Sequence, residues 1–137
     1  MAVRLSPRVS FQNSTVRRPT VLVVDDQPEI CELLQGTLDL FGYHTLVARD
    51  GGEALDLTHR FRPDVMTLDL LMPGMAGPTL LAHLADDPAL RTLPVVVISA
   101  SVAELVRTPQ VAAALSKPFE LLDLVDALAE ALEGARY

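Results

Sequence analysis

The chain has 137 residues, room for one domain of ordinary size and little more, since single domains commonly run about 100–200 residues. Half of the residues are hydrophobic, mostly aliphatic and with no Trp, which excludes wholesale disorder, and no uncharged apolar run approaches the roughly 20 residues of a membrane span. The net charge is −7, and all of the acids lie on the body of the chain, an acidic balance unsuited to nucleic acid and suited to holding a divalent cation.

Residues 1–19 carry Arg4, Arg8, Arg17 and Arg18 with no acid, and Ser6, Pro7, Ser10, Asn13, Ser14 and Thr15 stand among them. With no sustained helical or strand period, they are expected to form a flexible basic tail ahead of a domain at 20–137. A secretory signal is excluded because the apolar central stretch is missing, whereas the acid-free, Arg- and Ser-rich composition also suits an organellar transit peptide. Contact with an acidic partner, or with the acidic body itself, is a further reading.

From Thr20 short β-branched runs alternate with amphipathic stretches. Val21-Leu22-Val23-Val24 is uniformly apolar, as befits a strand buried on both faces. Ile30, Leu33, Leu34, Leu38 and Phe41 recur at helical spacing, with Gly42 as the stop. Thr45–Ala48 predicts a second strand, Gly52–Phe61 a second helix closed by Pro63, Val65–Leu68 a third strand and Thr79–Leu84 a short third helix. Val95–Ile98 predicts a fourth strand, 102–107 a weak helix, Ala112–Leu115 a weak fifth strand and Phe119–Leu132 a final helix. Five strands alternating with five helices predict an α/β domain built on one parallel sheet.

In an open parallel sheet, ligands bind beyond the carboxyl ends of the strands. Here those ends are followed by Asp25-Asp26, by Asp69, by Ser99 and by Ser116-Lys117-Pro118. Carboxylates gathered at one end repel one another unless a cation neutralises them, and hard oxygen donors select Mg2+ or Mn2+. A lysine and a hydroxyl beside such a metal supply the charge and the hydrogen bond that a phosphoryl group needs. The ligand inferred from these residues is a phosphoryl group with its metal.

Each residue also has a plainer reading when taken singly. Asp25-Asp26 suits a helix cap before Pro28-Glu29, Asp69 a turn before Met72-Pro73-Gly74, Ser99 a strand end bonded to backbone, and Lys117 a solvated surface position. Their register at successive strand ends weighs against those readings. His44, His59 and His83 lack ligand spacing, and Met66, Met72 and Met75 are expected to pack. The single Cys31 cannot form an internal disulfide and is expected to be a helix residue in a protein of the reducing cytoplasm.

Over about residues 20–133 these features resemble the response-regulator receiver domain of two-component signalling. The likeness rests on Val21-Leu22-Val23-Val24-Asp25-Asp26, on the stretch from Asp64 through Asp69-Leu70-Leu71-Met72-Pro73-Gly74 to Gly77, on Ile98-Ser99-Ala100 and on Lys117-Pro118-Phe119. The resemblance implies a flavodoxin-like, doubly wound (βα)5 fold with strand order 2-1-3-4-5. It implies that Asp69 takes a phosphoryl group from a sensor histidine kinase or a phosphotransfer protein, in a Mg2+-dependent reaction that yields an acyl phosphate. Asp26 is then the direct metal ligand, Asp25 its neighbour acting partly through water, and Leu71 the donor of a backbone carbonyl. Lys117 pairs with the phosphoryl oxygens, Ser99 moves toward them on switching, and Pro118 follows a cis peptide bond.

Such a chain is no enzyme beyond its own phosphorylation and dephosphorylation. It is expected to signal through an unknown downstream protein, as a monomer or weak homodimer. Only Gly134-Ala135-Arg136-Tyr137 follow the last predicted helix, so no output domain is expected and a stand-alone receiver is the leading reading.

Departures from the family pattern shape the expected mechanism. Ala114 stands where receivers often carry an aromatic residue that swings inward, so coupling is expected to travel through backbone and helix movement. Only 17 residues separate Ser99 from Lys117, with Pro109 among them, and the fourth helix is expected to be short, shifted or poorly ordered. Leu71 and Ser101 lie where the family tunes the lifetime of the acyl phosphate, and apolar Leu71, unable to orient a hydrolytic water, predicts slow dephosphorylation. A haloacid-dehalogenase-type phosphatase would need an acid in place of Leu71. A nucleotide or flavin module would need glycines in place of Asp25-Asp26-Gln27-Pro28. The remaining alternative is a receiver-like interaction module that works without phosphorylation.

Overall fold

The computed structural model describes residues 17–72, 74–100 and 108–135. Its strands are β1 (Thr20–Val24), β2 (His44–Ala48), β3 (Val65–Leu68), β4 (Val95–Ser99) and β5 (Val111–Ser116). Among the described residues the helices are α1 (Pro28–Leu40), α2 (Gly51–Phe61), α3 (Gly77–Asp86) and α4 (Leu121–Gly134). The helix expected at 102–107 lies outside the described residues, as do Pro73, Ser101 and residues 1–16 of the expected tail.

The strands form one five-stranded sheet in the order β2-β1-β3-β4-β5, with every neighbouring pair parallel. The three central strands are almost wholly buried and apolar but for Thr67 and the end residues Thr20 and Ser99, because a strand between two others with helices on both faces meets little water. Edge strands β2 and β5 are only partly buried, and their weaker apolar pattern follows from that. Side chains alternate across the sheet. Leu22, Val24, Met66, Leu68, Val95 and Val97 pack with Ala54 of α2 and with Leu80, Leu81 and Leu84 of α3. Val21, Val23, Val65, Val96 and Ile98 pack on the other face with Cys31, Leu34 and Leu38 of α1 and with Leu124, Leu128 and Ala131 of α4. The fold is therefore flavodoxin-like and doubly wound.

Local chemistry sets the helix ends. Pro28 in the first turn of α1 presets the helical φ, and the chain leaves α1 through Gly42 at φ +90°, a left-handed conformation that glycine adopts without strain. Asp50 caps α2 by accepting the Glu53 N–H at 2.8 Å, and the Glu53 carboxylate reaches back to the Arg49 N–H at 2.8 Å. α3 starts two residues before the periodicity predicts, because Pro78 in its first turn favours a start there. α4 starts at Leu121 rather than Phe119, after the cis Lys117–Pro118 bond and the N-cap Glu120. At the other end of the sheet Arg18 donates to the carbonyls of Gly42 and Tyr43, and Arg17 pairs with Asp64 at 3.2 Å.

Candidate functional site

β2 lies on one side of β1 and β3 on the other, so the loops leaving β1 and β3 part in opposite directions and open a crevice at their carboxyl ends. The sheet hydrogen bonding continues one step into that crevice. Asp25 N–H donates to the Ala48 carbonyl at 3.1 Å, Asp69 N–H to Val24 at 3.0 Å and Lys117 N–H to Ser99 at 3.1 Å. Asp25, Asp69 and Lys117 are thus carried by main chain tied to the sheet rather than by free loop.

Asp25 and Asp69 are buried, at 3% and 6% relative exposure, while Asp26 is half-buried at the rim. One carboxylate oxygen from each of Asp25, Asp26 and Asp69 lies within 4.8 Å of the others. The Lys117 ammonium donates to Asp25 Oδ2 at 3.0 Å and to Asp69 Oδ2 at 3.3 Å. Burial alone would lower the lysine pKa, but the hydrogen bond and charge of Asp25, with those of Asp69, hold it above the usual lysine value. Lys117 is therefore a cation throughout the physiological range.

The other oxygen of each buried carboxylate also accepts a hydrogen bond. Asp69 Oδ1 accepts the Leu71 N–H at 3.1 Å, and Asp25 Oδ1 accepts the Gln27 N–H at 2.9 Å. These are tight local turns, yet in both residues the second oxygen is turned to Lys117. Helix capping does not account for the acid pair, because the N-cap of α1 is Gln27, not Asp25 or Asp26. Ser99 ends β4 fully buried, opposite Ser116 in the register of β5. Leu71 is 59% exposed, leaving its side chain outside the crevice.

Two neighbours were not legible from spacing. Gln27 Oε1 accepts from Lys117 Nζ at 3.1 Å, and Arg49 donates to the Asp26 carbonyl at 3.2 Å. The available signal for Gln27 was chemical, since glutamine is not a favoured N-cap residue and its place there asks for another use. Cys31, buried in α1, donates its thiol to the Asp25 carbonyl at 3.3 Å. Burial, reinforced by the charge of Asp25, pushes that thiol pKa up.

The donor set fits a hard divalent cation. Ligand atoms around one Mg2+ at about 2.1 Å stand about 3–4 Å apart, which small side-chain rotations of the three acids can reach. Lys117 bonds two of these carboxylates and not Asp26, so the cluster keeps excess negative charge. A site of this kind can gather a cation, an ammonium and a buried carboxylate nucleophile around one anionic group.

Residues 21–129 match the family model of the response regulator receiver domain. The chain is 30% identical over 120 residues to the polar-differentiation response regulator DivK of Brucella anthropi, across 85% of this chain and 98% of DivK. It is 44% identical over 80 residues to the response regulator PleD of Caulobacter vibrioides, across 58% of this chain, and spans only 18% of PleD. Among solved structures it is similar to the response regulator TrrA of Thermotoga maritima in complex with Mg2+-BeF. The TM-score is 0.75 at 26% identity, across 83% of this chain and 99% of TrrA. A sheet ordered 2-1-3-4-5 with acids at its carboxyl edge, matched over nearly the whole described domain, places the chain in the response-regulator receiver domain family of two-component signalling.

Proposed function

We propose that the chain works in a phosphorelay by accepting a phosphoryl group on Asp69 and signalling through protein–protein contact. The observation that carries this reading is the buried Asp69 carboxylate, 3.3 Å from the Lys117 ammonium and grouped with Asp25 and Asp26. A carboxylate is a weak nucleophile, so transfer to it depends on positioning and on neutralising the phosphoryl oxygens.

An Asp69 carboxylate oxygen attacks the phosphorus of a phosphohistidine on a sensor histidine kinase or phosphotransfer protein. The new O–P bond forms as the P–N bond breaks, and the imidazole leaves with the electron pair. A small donor such as acetyl phosphate reacts in the same way, with acetate leaving. Leu71 N–H holds Asp69 Oδ1 and fixes the carboxylate plane, while Lys117 lies beside Oδ2 and offers its charge to the incoming oxygens. Ser99, at the end of β4, is the hydroxyl that would engage the phosphoryl group. Asp25, Asp26 and Asp69, with the Leu71 carbonyl, would hold Mg2+ (or Mn2+), whose charge neutralises the phosphoryl oxygens. TrrA, the receiver solved with Mg2+-BeF, supports this reading.

The chain then catalyses only its own phosphorylation and dephosphorylation, in the cytoplasm, and its output is an unidentified protein target. Incubation with Mg2+ and acetyl phosphate or phosphoramidate is expected to add the mass of one phosphoryl group. The adduct should require Mg2+ and be lost in Asp69→Ala. If wild type shows neither this adduct nor beryllofluoride binding, the chain is an interaction module independent of phosphorylation.

A further inference from the structure

Gln27 is the N-cap of α1, yet its side chain makes no capping hydrogen bond. Pro28 makes that cap less necessary, because its ring presets the first helical φ and removes an N–H that a cap would otherwise serve. The Gln27 amide turns instead to the site, where Oε1 accepts from Lys117 Nζ at 3.1 Å. At the same time the Gln27 main-chain N–H donates to Asp25 Oδ1 at 2.9 Å, while Asp25 Oδ2 accepts from Nζ at 3.0 Å. One residue therefore grips both members of the Asp25–Lys117 pair and closes a ring of three hydrogen bonds.

A lysine ammonium has three N–H donors, and Asp25, Gln27 and Asp69 take one each, with the bond to Asp69 the longest at 3.3 Å. The lysine stem is flexible and its head strongly hydrated, so its aim depends on fixed acceptors. Asp25 alone supplies one anchor. The amide oxygen supplies a second without adding a negative charge that would compete with Asp69 for the ammonium.

We infer that Gln27 is a positioning residue for Lys117, holding the ammonium so that the N–H now given to Asp69 passes to a phosphoryl oxygen without the lysine being re-ordered. This rests on the proposed role of Asp69 as phosphoacceptor. The Gln27 main-chain N–H to Asp25 survives any side-chain replacement, and the side-chain amide bonds Lys117, so the effect of the side chain must run through Lys117.

A double-mutant cycle tests this on the full chain, with saturating Mg2+ and acetyl phosphate and with adduct formation followed by intact mass. The variants are Gln27→Met, which keeps the side-chain length and removes the acceptor, Lys117→Ala, and the two combined. Gln27→Met is expected to slow adduct formation about fivefold, the rate equivalent of one ordinary hydrogen bond, with the thermal midpoint unchanged. In the Lys117→Ala background it is expected to slow the reaction no further. Equal slowing in both backgrounds, slowing that accompanies a lowered midpoint, or no slowing at all would overturn the inference while leaving Asp69 as acceptor. A wild type that takes no phosphoryl group overturns the reading of the site itself, and the inference with it.

Discussion

At the scale of single residues the dominant fact is charge crowding. Among the described residues Asp25, Asp26 and Asp69 share one end of the sheet with the Lys117 ammonium, and Arg49 reaches the Asp26 carbonyl, so the folded site gathers negative charge that the unfolded chain disperses. A divalent cation that binds only the folded site stabilises it by mass action, by about 2.7 kcal/mol at a hundredfold excess over its Kd. Mg2+ is therefore expected to raise the thermal midpoint of wild type and to raise that of Asp26→Ala far less, as differential scanning calorimetry would show; equal gains would remove Asp26 from the ligand set. Asp25, Asp26, Asp69, Ser99 and Lys117 stand out in the sequence because each follows an apolar run, where a strand must end and polar groups can gather. Gln27 does not, because its partner lies 90 positions away in the chain and only the fold brings them together.

At the scale of elements, two contacts fix α3, one at its start and one at its end. A Cβ built on Gly77 would stand 2.6 Å from the Leu70 Cα, and Gly77 N–H donates to the Leu70 carbonyl at 3.0 Å. Main chain cannot yield as a side-chain tip can, so Gly77→Ala is expected to cost about 1–3 kcal/mol in chemical denaturation and to slow phosphoryl uptake by shifting Asp69. An unchanged denaturation midpoint would show that the loop adjusts freely. The second contact joins α2 to the residue closing α3. His59 Nε2 meets Asp87 Oδ2 at 2.9 Å while Nδ1 faces the Leu55 carbonyl at 3.0 Å, so the ring bridges its own helix and the end of α3. The His59 hydrogen bond, and then the Ala89 N–H, hold the Asp87 carboxyl below the usual aspartate range. A depressed carboxyl contributes stability that is present above its unfolded-state pKa and is lost as pH falls through its lower folded value. NMR titration should find Asp87 below an ordinary aspartate and find it raised in His59→Ala; the same value in both proteins would deny the contact its effect.

At the scale of the whole molecule, the sheet separates two aliphatic clusters, one under α2 and α3 and one under α1 and α4. Cys31 lies in the second cluster with its thiol held by the Asp25 carbonyl and its pKa raised by burial. It is expected to resist alkylation at neutral pH in the native protein and to react at the rate at which α1 leaves the sheet, a rate that hydrogen exchange of the α1 amides reports independently. Alkylation much faster than that exchange would show a local path to the thiol. Ala114 packs against the first cluster with no aromatic ring to swing, while the Lys117 N–H to Ser99 carbonyl bond ties the ends of β4 and β5 directly. Under the proposed function, a phosphoryl group drawing Ser99 and Lys117 together would act on the main chain of both strands.

The alternation of apolar strands with amphipathic helices was readable in the linear sequence, because burial on both faces of a central strand leaves few polar positions, Thr67 of β3 among them. The acids and the lysine that end those strands were readable for the same reason. Edge strand β5 and the starts of α3 and α4 were less distinct, since half-buried positions tolerate mixed side chains, α3 starts with Pro78 in its first turn and the N-cap of α4 is Glu120, which makes no side-chain cap. Tertiary structure alone decided which oxygen of each carboxylate faces Lys117, that Gln27 joins them and that Arg49 holds the Asp26 carbonyl. Periodicity reports the face on which a residue lies, whereas a hydrogen bond between distant segments depends on how the strands are ordered in the sheet.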